Sequence, residues 1–264
     1  MCLPGAFALG WGGRLSGLDS CCGGFYNGRM YTLRHRIATS DVGEDCCLRI
    51  GAIGMLMQDC SVFQIEEDTK FSACLRENGM AVFMASRQVD ILRLPRYGEE
   101  VEVCTWVHGC RGFYGLRNTV IRDAAGELCV ACFCIGAFVK RDTGAPAVMP
   151  KSAYEDMVSA PPLEMEYLPR KIALPEGLAF TVLRQDCVLP GYLDANRHLN
   201  AGRSLDIAAS CLDYTPRRVR VEYKAQGKPN TPFVVERADV AFGHSYMRLR
   251  GVDGEVFSVY EFVV

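Results

Sequence analysis

Apolar and polar positions along the chain fall into two successive series with the same order of elements. From about Met30 an extended segment, Tyr31 to Thr39, precedes a helical one over Leu48 to Glu67, where Ile50, Ile53, Leu56, Met57, Cys60 and Phe63 recur at helical spacing. Four strand-like runs follow, FMASRQVDILRL (83–94), EVEVCTWVHG (100–109), GFYGLRNTVIRD (112–123) and ELCVACFCIGAFVKRD (127–142), separated by glycine and proline turn signals. Residues 143–178 are rich in proline and read as a connector. The series then begins again, with a strand at Phe180 to Leu189, a helix near Asn200 to Tyr214 and strands at 217–226, 232–241, 245–251 and 255–264. A single long helix with several antiparallel strands is an α+β layout, in which the sheet wraps the helix to bury its apolar stripe.

The two helices superpose at an offset of 151 positions, with Leu48 over Leu199, Gly51 over Gly202, Leu56 over Ile207 and Cys60 over Cys211. Chance likeness between amphipathic helices explains those matches alone; the shared order of elements favours duplication. The expected organisation is an appendage at 1–29, a first half at 30–142, the connector at 143–178 and a second half at 179–264. The Gly-rich appendage shows no periodicity and is expected to be loose, translated from a start upstream of the native one; N-terminal sequencing of the natural protein checks this.

Composition narrows the function. The chain has 264 residues, 49% of them apolar and 23% charged, with a formal charge of -2. That balance argues against a nucleic-acid partner, which would favour a basic excess. No apolar run approaches the roughly 20 residues that cross a bilayer, so a soluble, cytoplasmic protein is expected. The 14 cysteines are scattered, which fits reduced thiols serving as small apolar fillers. Cys129 and Cys132 have half the spacing of a zinc clamp, but three positions apart in a strand they face opposite sides, so no metal is expected.

The chemistry concentrates in GYLDANRHLNAG, residues 191–202. In extended backbone Asp194, Asn196 and His198 share one face, just ahead of a helix beginning about at Asn200. Helix N-terminal amides can polarise a carbonyl as it becomes an oxyanion. His198 can take or orient a proton of water, while Asp194 or Asn196 fixes the imidazole and the substrate. These parts suit acyl transfer to water. The alternative is an ordinary turn and helix cap with His198 packed at the helix start. At the offset of 151, Asp45 meets Asn196 and Cys47 meets His198, so one chemical site is expected per pair of halves. His35 and His108 lie in strand patterns and His244 in a turn. Neither a G-x-S-x-G elbow nor a glycine-rich nucleotide loop occurs.

ILRLPRYGEEVEVCTW (91–106), GLRNTVIRDAAGELCVACF (115–133) and LDANRHLNAG (193–202) together resemble the acyl-(acyl-carrier-protein) thioesterases of plants and bacteria, from about Met30 to the end of the chain. The resemblance implies a tandem, or double, hotdog, two antiparallel sheets each wrapped round one long helix. It implies hydrolysis of fatty acyl thioesters on the acyl carrier protein, ending chain elongation, with no cofactor. It also carries catalytic roles onto Asp194, Asn196 and His198. The family glutamate falls on Gln226 in VEYKAQG, and an amide cannot be a base at neutral pH. His198 assisted by Asp194, Glu222 on the polar face of the same strand, or weak activity are the three accounts that follow. Gly136 replaces a family tryptophan, which widens the acyl cavity or loosens packing. Arg170, Lys171, Arg217, Arg218 and Arg220 are candidates for docking an acidic carrier protein. An acyl-coenzyme A thioesterase and a noncatalytic acyl-binding protein are the rival readings, and a monomer or a homodimer fits.

Overall fold

The computed structural model describes residues 30–158 and 160–264. The expected appendage at 1–29 lies outside them.

The first series forms β1 (Tyr31–Arg36), α1 (Ile50–Glu67), α2 (Thr69–Glu77), β2 (Met80–Ile91), β3 (Glu100–Arg111), β4 (Tyr114–Asp123) and β5 (Leu128–Lys140). A short α3 (Lys151–Tyr154) lies in the connector. The second series forms β6 (Thr181–Cys187), α4 (Ala201–Ala209), β7 (Arg218–Tyr223), β8 (Pro232–Ala241), β9 (His244–Gly251) and β10 (Val256–Val263). All ten strands belong to one sheet, in the order β1-β3-β4-β5-β2-β7-β10-β9-β8-β6. Read inward from either edge, each half has the same strand order. The halves meet where β2 pairs antiparallel with β7, and the register is symmetric about the pair Gln88–Arg220, with Ser86 facing Glu222 and Asp90 facing Arg218.

The helices obey the same symmetry. α1 is apolar on most sides as far as Cys60 because it is covered on most sides, by sheet residues such as Val89, Val103 and Cys132 and by α4. Gly51 lies where a Cβ would come within 2.2 Å of the Asp206 side chain, and Gly202 where one would come within 2.6 Å of Met55. Those two contacts exchange under the offset of 151, and Gly54 against Leu205 exchanges with itself. Arg49 seals the crossing with two Nη1 contacts of 2.7 Å to the carboxylate of Asp206.

Several elements depart from expectation. The long helix ends at Glu67 as expected, but a second helix that the periodicity did not predict follows it: the Asp68 carboxylate accepts the amide of Phe71 at 2.9 Å and starts α2, whose Phe71 and Leu75 are buried one turn apart. α4 stops at Ala209, five residues before Tyr214, because Tyr214 is drawn to the sheet and donates to Ser245 at 2.8 Å. The connector is a fastened strap. Trp106 donates to the Pro161 carbonyl at 2.9 Å, and Asn118 Oδ1 accepts from the Leu163 amide and the Tyr167 hydroxyl. At Gly136 a Cβ would meet Val82 at 2.8 Å, so the space of a larger side chain holds β2 rather than an enlarged cavity. The cysteines are not all simple fillers either. Cys132 and Cys134 lie with sulfurs 3.3 Å apart beside the fully buried Arg87, and the bond from Cys132 together with that guanidinium holds the Cys134 thiol below its usual range.

Adding a Cβ to an ordinary helix glycine stabilises by up to about 1 kcal/mol; at Gly51 the sign should reverse. Gly51→Val is expected to cost roughly 1–3 kcal/mol through overpacking, read as a lower urea midpoint at unchanged slope.

Candidate active site

The loop from Asp194 to Asn200 is built by its own short-range bonds. The Asp194 carboxylate accepts the amides of Asn196 at 2.9 Å and His198 at 3.0 Å. The Asp194 amide donates to the His198 carbonyl at 2.8 Å, and Arg197 takes a left-handed φ of 63° at the tip. Leu199 then pairs with Leu193 and donates to the Gly227 carbonyl at 2.8 Å. The Asp-x-Asn turn reading therefore describes Asp194 well: its acid organises the loop backbone, and the loop in turn presents His198.

His198 is half-buried, and its ring meets Phe83 of β2 edge-on with centroids 5.7 Å apart. The site thus lies between the halves, the loop coming from one and the aromatic wall from the other. Nδ1 of His198 is buried and has no hydrogen-bond partner among the described residues, an arrangement that costs free energy until a water or ligand supplies one. Asn196 is exposed at the loop rim.

Two sequence expectations change here. Two first-turn amides of α4 are taken by a cap made by the chain itself: Asn200 Oδ1 accepts from Gly202 at 2.8 Å and Arg203 at 3.2 Å. Gln226 does not extend the strand, since β7 ends at Tyr223; Gln226 is exposed in an irregular segment, one residue before the Gly227 that holds Leu199. That backbone bond places Gln226 next to the His198 loop. Glu222, the alternative acid, is buried on the strap side, where it accepts from the Ile172 amide at 3.1 Å and faces Arg170 at 3.8 Å. Its neighbour Tyr223 takes the helix side and donates to the Ala201 carbonyl at 3.1 Å. Glu222 therefore faces away from α4 and His198.

The other histidines sit apart. His35 contacts Asp41 at 2.7 Å, burial lowers the pKa of His108, and His244 opens β9 rather than a turn, 3.1 Å from Glu261. The candidate docking arginines are largely engaged within the fold. Arg218 binds Asp90 at 2.6 Å and Glu166 at 2.7 Å, Arg220 binds Glu261 at 2.5 Å, and Arg217 donates to the Leu92 carbonyl at 2.8 Å.

Sequence reading missed how faithfully the first half repeats the loop. Gly43 donates to the Cys47 carbonyl as Asp194 does to that of His198, and Cys46 has φ 59° where Arg197 has 63°. Arg49 bonds Asp41 as Asn200 bonds Tyr192, and Leu48 bonds Pro95 as Leu199 bonds Gly227. The alignment at 151 already contained the signal, in the spacing of Asp45 and Cys47.

A sheet of ten strands in two like-ordered halves, each with its own central helix and with His198 at the junction, defines a double hotdog. Residues 28–157 match the family described as the acyl-ACP thioesterase N-terminal domain. Among solved structures, an acyl-ACP thioesterase from Bacteroides thetaiotaomicron aligns with a TM-score of 0.81 and 16% identity, covering 90% of this chain and 99% of its own. The 12:0-ACP thioesterase from Umbellularia californica aligns with a TM-score of 0.76 and 14% identity, over 89% of this chain and 96% of its own. No curated protein sequence matches. No helix among the described residues is long and apolar enough to cross a membrane.

Asp194 gives a test of loop building as distinct from chemistry. Asp194→Asn keeps an oxygen for the two amides and should fold with little loss, whereas Asp194→Ala should cost roughly 1–3 kcal/mol, the range for losing bonds to a charged acceptor, measured by urea unfolding.

Proposed function

We propose that this protein hydrolyses fatty acyl thioesters carried on the acyl carrier protein, with His198 as the proton-handling group. The observation that carries the reading is the buried, unpartnered Nδ1 of His198, set on the Asp-x-Asn-x-His loop of a chain whose residues 28–157 match the acyl-ACP thioesterase N-terminal domain. Water attacks the acyl carbonyl carbon, His198 receives the proton that water gives up, the carbon–sulfur bond breaks, and that proton leaves with the thiol. The products are a fatty acid and the free carrier thiol.

Asp194 contributes by shaping the loop. Asn196, exposed at the rim of the same loop, supplies an amide donor to the developing oxyanion, while Asn200 occupies the Gly202 and Arg203 amides of α4. Gln226 orients the attacking water from the adjoining segment and cannot deprotonate it. Phe83 walls the imidazole on the other side, which limits solvent access.

Thiol release from acyl carrier protein substrates of graded chain length, beside the same acyl groups on coenzyme A, tests the reading. Faster turnover on the carrier protein is expected, and acyl thioester bound without thiol release would reject hydrolysis. His198→Ala should lower turnover by at least about 100-fold, the lower range for a positioned acid–base group, and normal turnover in that variant would reject its role. Gln226→Glu should leave turnover unchanged if the site is centred on the imidazole; a large gain would show that a carboxylate is the missing base.

A further inference from the structure

A cleft of about 500 Å³ lies away from His198. It opens at the opposite end of the helix pair, with Cys47, Leu94, Arg203, Ser210 and Thr215 on its walls. The symmetry of the two halves explains the location. The helix offset of 151 carries Cys47 onto His198. The sheet pairing that puts Pro95 in the place of Gly227 carries Leu94 onto Gln226. The cleft is therefore the rotated counterpart of the His198 crevice. Thr215 lies on its wall, whereas the other site has the Phe83 ring against its imidazole.

The two sites differ in chemistry as well as in space. Neither an imidazole nor the Asp194 carboxylate has a counterpart here, since Gly43 and Cys47 occupy those positions in an otherwise matching loop. The walls join apolar side chains, Leu94 and Ile207 among them, to guanidiniums. Arg49 and Arg203 share the single carboxylate of Asp206, at 2.7 and 4.0 Å, while Asp45 is bonded to the Cys47 amide at 2.9 Å. Apolar length beside a surplus of guanidinium suits an aliphatic chain with an anionic head, and the volume is ordinary for a ligand of that size.

We propose that the Cys47 cleft is a second acyl-chain site that binds without hydrolysing and takes a free fatty acid, its carboxylate toward Arg203 and its chain along Leu94. The identity of the occupant rests on the proposed function, because the cleft copies a site assigned to acyl thioesters.

Dodecanoate titrated calorimetrically into the full chain carrying His198→Ala should bind saturably. Adding Ser210→Trp, which places a ring at the exposed cleft rim, should weaken binding at least about tenfold by filling the site. Independently, in a Cys46→Ser background, dodecanoate should slow alkylation of Cys47 by iodoacetamide, followed by peptide mass. Absence of binding, or binding indifferent to Ser210→Trp with Cys47 left unprotected, would overturn the proposal. Thiol release by the unaltered chain reports only on the His198 site. A chain that hydrolyses but leaves Cys47 unprotected fails this inference alone, and one that protects Cys47 but releases no thiol fails only the proposed function.

Discussion

Everything in this fold is arranged about the close crossing of α1 and α4. Two helices pack at about 8–10 Å when side chains separate them; here glycines at matching positions, Gly51 and Gly202, each receive a side chain of the other helix, Asp206 or Met55. The approach draws the halves together, aligns β2 with β7 as neighbours and lets one core run beneath both helices, joining Ile53 and Met57 to Leu205, Val221 and Tyr260. With the crossing loosened, the Asp194–His198 loop would lose the Phe83 wall, because that wall belongs to the other half.

The matching loops separate conformation from chemistry. Gly43–Arg49 and Asp194–Asn200 make the same backbone bonds and the same positive-φ turn, although the side chains differ at nearly every position. The backbone is determined by local pairing and by a contact to the coil ahead, Pro95 or Gly227, so the side chains at the tip are free to vary. One copy uses that freedom for an imidazole and a capping asparagine. In the other, Arg49 makes no side-chain cap and instead clamps Asp206 across the helix pair.

The outer face of the sheet follows a different logic where the strap crosses it. Glu222, Arg218 and Arg220 are polar positions of β7 that bond strap residues or acids of neighbouring strands. Charges that look in sequence like a docking patch are thereby drawn into holding the two halves and the strap together. A partly buried charge is costly unless paired, and these are paired.

The strands, the principal helices and the repeat are legible in the chain because alternation and helical spacing are local signals, and the Asp-x-Asn-x-His spacing located the loop. The N-cap of α4 was also local, but Asn200 had no mark distinguishing an amide used for capping from one left to a substrate. Tertiary structure decided what depends on residues far apart: that Phe83 walls His198, that Glu222 faces the strap and away from the imidazole, that Val82 fills the space at Gly136, and that the open cleft belongs to Cys47. Periodicity assigns a residue to a face, while occupancy of a volume depends on what the other half brings to it; in a molecule joined along an internal twofold, that information is carried by pairs of residues more than a hundred positions apart.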